Sequence, residues 1–121
     1  MTFMEKRVKR VGIVFVEGSS ATNGKRLWCV YAGKARVGRV SIERISPSTG
    51  YVDILISVKH RGRGIGSAAF RKACEESGYA KVIAEVRKSN TASIKALRNA
   101  GFRESGETKS KQLVFAWKGI K

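Results

Sequence analysis

A glycine-rich hexapeptide, Arg61-Gly62-Arg63-Gly64-Ile65-Gly66, has the clearest potential for chemistry in this sequence. Glycine lets a backbone turn tightly and approach a ligand closely, and the free amides at the start of a helix carry a partial positive charge. Because the hexapeptide lies between a predicted strand and a predicted helix, these amides and the two arginines would form a cradle for phosphate groups. The spacing lacks the Lys-Ser or Lys-Thr ending of a nucleoside-triphosphate loop, and it differs from the GxGxxG of a dinucleotide fold. The segment therefore predicts an anion site of another kind.

A second motif follows one predicted strand later. Asn90-Thr91-Ala92-Ser93 begins a short helix, and Ala100-Gly101-Phe102 ends it. Together with the RxxGxG turn, this motif resembles the GNAT superfamily of acetyl-CoA-dependent N-acetyltransferases, and the likeness runs from about residue 50 to residue 102. Within that family, the segment Glu85–Asn90 is most similar to the ribosomal-protein alanine acetyltransferases. The segment Ser93–Phe102 also resembles the RimL-like and amino-sugar acetyltransferase branches, so the resemblance does not identify one acceptor.

The resemblance implies a site for acetyl-CoA as cosubstrate, and the residue composition indicates no metal. In such folds the fourth and fifth strands splay apart, and the pantetheine arm pairs with the fourth strand as an additional strand would. The glycine-rich turn would hold the pyrophosphate, and Asn90 would hydrogen-bond the pantetheine. The implied acetyl-CoA-binding residues are Ile56, Ser57, Val58, Arg61, Gly62, Arg63, Gly64, Ile65, Gly66, Asn90 and Ser93.

The implied reaction is direct attack of a primary amine on the acetyl thioester in a ternary complex. It requires a base for the amine, a donor for the oxyanion and an acid for the leaving thiolate. Glu85 occupies the position of the proposed base in the alanine acetyltransferases, and the backbone amide of Ile56 is the expected oxyanion donor. Asp53 and Glu43 are weaker candidates for the base, and a strand Glu is otherwise often only the solvated side of an alternation.

Two departures from the family pattern lead to a second hypothesis. Many members carry a tyrosine seven residues after the Asn, as the acid for the thiolate, whereas this chain has Leu97 there. Members also usually have two helices between the first two strands, and here only the segment Glu17–Lys25 is available. The alternative is therefore a catalytically weak CoA-binding regulator, or a partner-dependent acetyltransferase that acts on a ribosomal, nucleic-acid-associated or acidic partner. A homodimer could also complete the acceptor site.

Around these motifs, the apolar pattern predicts the order β-β-β-β-α-β-α-β-β. The first half reads as a β-meander, because runs rich in β-branched and aromatic residues are separated by turn residues. A helix-period pattern then begins at Ile65 and stops at Gly78, and a second helix follows the predicted cap Asn90. The predicted strands include Val8 and Val11 with Ile13–Val16, then Leu27–Tyr31, Val37–Ile45, Tyr51–Val58, Lys81–Val86 and Gln112–Lys118. The fold class is α+β, with a mixed, mostly antiparallel sheet and two helices, an abbreviated GNAT (acyl-CoA N-acyltransferase) fold.

Composition limits the remaining possibilities. With 121 residues, 42% of them hydrophobic, the chain fits a single domain over residues 1–121. The formal charge of +16 indicates a basic protein and leaves an acidic protein or nucleic acid open as a partner. No run of about 18 apolar residues could span a bilayer, so no membrane role and a cytoplasmic location are expected. One histidine and two cysteines, Cys29 and Cys74, provide no metal-ligand set, and both thiols are expected to be reduced and buried.

Overall fold

An antiparallel meander opens the structure, a computed structural model that describes residues 13–18, 24–62 and 64–119. Each strand pairs antiparallel with the next one along the chain, as the sequence predicts. The predicted strand residues Val8 and Val11 lie outside the described residues. The four strands are β1 (Ile13–Gly18), β2 (Lys25–Ala32), β3 (Ala35–Ser46) and β4 (Thr49–Ile56).

The second half of the chain alternates helices and strands in the predicted order. Helix α1 ends at Gly78, which adopts the left-handed conformation (φ 81°) that favours glycine after a helix. Asn90 caps α2, because its Oδ1 accepts a hydrogen bond from the backbone amide of Ser93 at 3.1 Å. These elements are α1 (Ile65–Ser77), β5 (Lys81–Val86), α2 (Thr91–Asn99), β6 (Arg103–Glu107) and β7 (Leu113–Lys118).

The seven strands form one sheet in the order β1-β2-β3-β4-β5-β7-β6. Every neighbouring pair is antiparallel except β4 and β5, which confirms the predicted mixed, mostly antiparallel sheet. The parallel pairing joins only Thr49–Tyr51 to Lys81–Ile83. Beyond Tyr51 the two strands are no longer paired, so the predicted splay between the fourth and fifth strands is present.

Both helices lie on one face of this sheet, here called the helix face. Buried side chains alternate along β4 and β5, with Val52, Val82 and Ala84 on this face. Phe70 of α1 packs edge-on against Phe102 after α2, with ring centroids 5.7 Å apart. The opposite side, here called the open face, carries the alternate side chains, and no helix of the described residues covers it.

Two details differ from the sequence-based expectation. The strand predicted for Tyr51–Val58 ends at Ile56, because a turn of 3₁₀ helix (Val58–His60) follows it. In this turn the amide of His60 donates a hydrogen bond to the carbonyl of Ser57. Cys29 is only half-buried, since its side chain lies on the open face, whereas Cys74 is buried as expected. Burial raises the pKa of the Cys74 thiol far above its usual range, so this group stays protonated.

Two further expectations concern the chain as a whole. None of the helices in the described part of the chain is both long enough and apolar enough to cross a membrane. The cytoplasmic location stays a prediction. The described residues share one hydrophobic core, and the single domain over residues 1–121 also stays a prediction.

Candidate active site

The gap between β4 and β5 exposes backbone groups that a sheet normally pairs. The amide of Ser57 donates to the carbonyl of Val37 on β3, at 2.8 Å. Because hydrogen-bonding directions alternate along an antiparallel pair, the amides and carbonyls of Ile56 and Ile54 must point the other way, towards the gap. The carbonyl of Ile56 accepts the Nε–H of Arg61 at 2.9 Å, which is consistent with this direction. The amide of Ile56 therefore faces the gap, where the oxyanion donor is expected.

The glycine-rich turn follows β4 and leads directly into α1. Gly62 and Gly64 both have a φ of 80°, a left-handed conformation that side chains rarely adopt. Gly64 is the N-cap residue and has no side chain, so it provides no acceptor for the first amides of the helix. Those amides remain available to an anion at the positive end of the helix dipole. Arg63 lies outside the described residues.

A cleft of about 610 Å³, here called the long cleft, runs from the gap to the start of α1. One wall is formed by Ile54 to Ile56 of β4, and the other by the exposed side of α2. Gly66 lies where the helices meet, and a Cβ there would contact the Cβ of Ala96 at 3.5 Å. Of the predicted residues, the long cleft brings together Ile56, Arg61, Gly62, Gly64, Gly66, Asn90 and Ser93.

A second cavity of about 370 Å³, here called the gap cavity, adjoins the long cleft between β4 and β5. Asn90 and Ser93 line both spaces, so the two lie next to each other. The candidate base Glu85 lines the gap cavity from β5, and the weaker candidate Asp53 lines it from β4. A ligand in the long cleft could therefore present its reactive end to these carboxylates.

Some predicted residues do not line either space. Ser57 and Val58 are exposed at the end of β4, and their carbonyls accept bonds from His60 and Arg61 within the 3₁₀ turn. Ile65 is buried in the core, so only its backbone amide could contact a ligand. Glu43 lies on the open face opposite Tyr51, one strand further from the gap.

Tyr51 shares the open face with the two carboxylates of the gap cavity. Its pKa is raised, first by burial and then by the negative charges of Glu85 and Asp53. The phenol therefore stays protonated over the neutral range, where it can act as a hydrogen-bond donor.

The position where many family members have an acid is apolar here. Leu97 is 1% exposed and lines the gap cavity from α2. One helical turn earlier, Ser93 lines both spaces, with its amide already bound to Asn90. No side chain at position 97 can therefore protonate a leaving thiolate, as the sequence indicates.

Sequence reasoning missed several residues that line the long cleft. Ser67, Ala92 and Ala96 lie on the parts of α1 and α2 that face each other across it. Their small size was the only available signal, because small side chains leave room between two packed helices. Asn99 also lines the cleft, and its carbonyl accepts a hydrogen bond from Arg71 that joins the two helices.

Metal chemistry is not indicated by the residues that the structure describes. Within that part of the chain, no group of three His, Cys, Asp or Glu side chains could hold a metal ion. The single histidine, His60, has its Nδ1 2.7 Å from the Oγ of Ser57, which holds it within the 3₁₀ turn.

Comparison with known proteins agrees with this geometry. The sequence matches the Acetyltransferase (GNAT) family over residues 5–102. No curated protein is significantly similar to the chain in sequence.

Three similar solved structures share the fold at low identity. RimJ of Mycobacterium smegmatis in complex with CoA-disulfide is 21% identical, covers 78% of this chain and 53% of its own, and has a TM-score of 0.71. A domain from Methanocaldococcus jannaschii DSM 2661 is 20% identical, covers 82% of this chain and 70% of its own, and has a TM-score of 0.71. A chimera of the spermidine N-acetyltransferase SpeG from Vibrio cholerae and hSSAT is 20% identical, covers 81% of this chain and 68% of its own, and has a TM-score of 0.69. The chain thus spans only about half the length of the first of these proteins.

Proposed function

Since the chain belongs to the Acetyltransferase (GNAT) family, we propose that it transfers an acetyl group from acetyl-CoA to a primary amine. The observation that carries this proposal is the interrupted pairing of β4 and β5, which leaves an unpaired strand edge next to an uncapped helix N-terminus. An unpaired edge binds an extended amide-bearing chain, and a helix N-terminus binds phosphate. Pantetheine and pyrophosphate, which adjoin each other in CoA, need these two features in this order.

The residues of the long cleft support binding of CoA. The gap-facing amide and carbonyl of Ile54 would pair with the pantetheine, and Asn90 and Ser93 border the same stretch. The amides of Gly62 to Gly66 would hold the pyrophosphate, with Arg61 beside them. Lys95 also lines the cleft and adds a positive charge. The guanidinium of Arg98 does not contribute its charge to the cleft, because it pairs with Glu104 at 3.3 Å and lies over the ring of Phe115.

The residues of the gap cavity would perform the transfer. Acetyl-CoA supplies the acetyl group as a thioester. Glu85 would take a proton from the amine, whose nitrogen then forms a bond to the acetyl carbon, and the carbon–sulfur bond breaks. The amide of Ile56 would donate a hydrogen bond to the acetyl oxygen as negative charge develops on it. CoA leaves as a thiolate and takes its proton from water, since Leu97 has none to give.

The proposal is tested by measuring free CoA after the protein is mixed with acetyl-CoA and a panel of primary amines. We expect amine-dependent release of CoA, together with binding of acetyl-CoA in a calorimeter. Ala92→Trp would place a large side chain in the long cleft from an exposed position, and we expect it to abolish binding. Thr91→Trp is the matched control, because Thr91 is also exposed but does not line the cleft. Equal binding by both variants would show that acetyl-CoA does not use this cleft.

A CoA-binding regulator, or a partner-dependent acetyltransferase, is the second candidate function. The observations that favour it are the apolar Leu97 and the uncovered open face, where Val14, Val16 and Leu55 are each about half exposed. A second copy of the chain, an acidic protein or a nucleic acid could complete the acceptor side, and the charge of +16 favours the last two. This function predicts capture of a partner only in the presence of acetyl-CoA. Equal capture without acetyl-CoA would contradict it.

A further inference from the structure

Three exposed cations lie together on the open face, at the end of the sheet where β5 begins. The alternating burial of β5 and β7 places Lys81 and Lys118 on this face, and the register sets them directly opposite each other. Arg103 of β6 lies opposite Ala116, so it shares the face and is a diagonal neighbour of Lys118. These three cations are here called the basic patch.

The charge of the basic patch is not compensated by the residues that the structure describes. None of the ion pairs among them includes a cation of the patch. By strand spacing, the closest carboxylates on the open face are those of Glu43 and Glu85, whose Cα atoms lie about 12 Å and 13 Å from that of Lys81. Glu104 follows Arg103 in sequence, but it lies on the helix face and forms its ion pair with α2. Salt largely screens charges at such distances, so the local field of the patch is positive.

The pairing of Lys81 with Lys118 is unfavourable for the fold by itself. Like charges directly opposite each other on neighbouring strands repel. The next pair on the same face has no such conflict, because Ile83 lies opposite Ala116. An anion held between two ammonium groups removes the repulsion and accepts hydrogen bonds from both. The patch therefore suits a ligand that brings several negative charges.

The residues around the patch favour nucleic acid over an acidic protein as that ligand. The neighbours between the cations are small, with Thr49 beside Lys81 and Ala116 beside Arg103, so they leave room for a chain to lie on the sheet. A nucleic-acid strand carries a charge on every nucleotide, so successive phosphates can meet successive cations. Tyr51 lies on the same face in the next row and is partly exposed, where its ring can stack on a base. Cations beside an aromatic ring are the combination that binds single strands.

We propose that the basic patch binds a single strand of nucleic acid, with its phosphates on Lys81, Lys118 and Arg103. The patch lines neither the long cleft nor the gap cavity, so the inference does not depend on the proposed acetyltransferase function. The patch lies where β4 and β5 are still paired, and the gap begins beyond Tyr51. A bound strand would therefore lie on the same face as Glu85 of the gap cavity.

The test measures binding of a fluorescently labelled uridine strand by anisotropy, in the absence of acetyl-CoA. The salt concentration is varied from about 0.05 M to about 0.5 M, because phosphate contacts weaken as salt rises. Each contact on a single strand contributes about 0.7 to the slope of log affinity against log salt, so Lys81→Gln/Lys118→Gln should lower that slope by about 1.4. Over the decade from about 1 M to about 0.1 M salt, this difference amounts to a loss of about 25-fold in affinity.

Two control variants separate the patch from the overall charge and from stability. Lys34→Gln/Lys59→Gln lowers the net charge equally at the opposite end of the sheet, where both lysines are exposed, and should change the slope much less. Lys81→Arg/Lys118→Arg keeps both charges and should bind as wild type does. Urea unfolding of Lys81→Gln/Lys118→Gln should show a protein at least as stable as wild type, because the variant removes a repulsion.

A loss confined to Lys81→Gln/Lys118→Gln supports the inference. Equal losses in the two glutamine variants would show that the strand responds only to net charge, and would overturn it. No binding of the uridine strand at about 0.05 M salt, where phosphate contacts are strong, would also overturn it. Competition by polyglutamate as effective as competition by the unlabelled strand would assign the patch to an acidic protein instead. Release of CoA from acetyl-CoA is measured separately, so none of these results decides the acetyltransferase function.

Discussion

Replacing Gly38 by alanine should impair catalysis, although Gly38 itself lines neither the long cleft nor the gap cavity. Gly38 lies on β3 directly opposite Ile56, whose amide is the proposed oxyanion donor. A Cβ at position 38 would lie 2.3 Å from the carbonyl oxygen of Leu55 and 3.0 Å from the Cα of Ile56. Ordinary contacts of a Cβ begin near 3.4 Å, so β4 must move by about 1 Å. No side-chain rotation can relieve this, because the two atoms belong to the backbone.

The expected size of the effect follows from this displacement. A shift of about 1 Å in a catalytic group can lower the rate about 100-fold, and losing one oxyanion donor has an effect of about 100- to 1000-fold. Overpacking of a sheet also destabilises a protein, by about 1–3 kcal/mol. For a chain of this size, that corresponds to a fall in Tm of roughly 5–15 °C. We therefore expect kcat to fall about 100-fold while Tm falls moderately.

The assay measures initial CoA release at saturating acetyl-CoA, at a temperature where circular dichroism shows each variant fully folded. Gly18→Ala on β1 is the control, because a Cβ there would have its nearest neighbour, a methyl group of Leu27, at 3.9 Å. This variant should keep kcat close to the wild-type value. A Gly38→Ala protein that is as fast and as stable as wild type would refute the steric reasoning. If the loss of rate is no larger than the fraction of unfolded Gly38→Ala protein accounts for, the link to Ile56 is refuted.

Three further predictions concern the base, a buried hydrogen bond and acid stability. Glu85→Gln should lower kcat about 100-fold or more while acetyl-CoA binding, measured by calorimetry, stays unchanged, and a near-normal kcat would exclude Glu85 as base. Glu76→Ala should lower the free energy of unfolding in urea by about 1–3 kcal/mol, because it removes the acceptor 3.0 Å from the indole nitrogen of Trp28, which is 1% exposed; Glu76→Gln should lose clearly less, and equal losses would contradict this account. The hydrogen bond from Arg26 lowers the pKa of Glu17 from 4.5, so its stabilising effect is present above pH 4.5 and is lost as pH falls through the lower folded-state pKa. The urea midpoint should therefore drop more steeply below pH 4.5 in wild type than in Glu17→Gln, and parallel curves would show that this pair contributes nothing.

Local sequence signals predicted the elements of the fold well. Period-two runs identified the meander, and Gly78 and Asn90 end and begin the helices where expected. The end of β4 was predicted two residues too late, since Val58 has the β-branched side chain of a strand residue. It is 75% exposed in a turn of 3₁₀ helix, and that turn depends on backbone bonds that the residue type does not reveal.

The candidate site was predictable only where it depends on short-range motifs. The glycine-rich turn and Asn90 could be found because glycine conformation and helix capping act within a few residues. The meeting of Asp53 and Glu85 in the gap cavity could not be predicted, because the two residues lie 32 positions apart and only the register of a separated strand pair brings them together. The close approach of Gly38 to Ile56 likewise follows from cross-strand register.

A crystal structure of the protein with acetyl-CoA would test the central claim most directly. We predict that the pantetheine lies between β4 and β5, with the pyrophosphate on the amides of the Gly62–Gly66 turn. The acetyl oxygen should lie about 3 Å from the amide nitrogen of Ile56, and the carboxylate of Glu85 should face an open space beside the acetyl carbon. Acetyl-CoA bound elsewhere on the protein, or in the cleft with its acetyl group directed away from Ile56 and Glu85, would contradict this account.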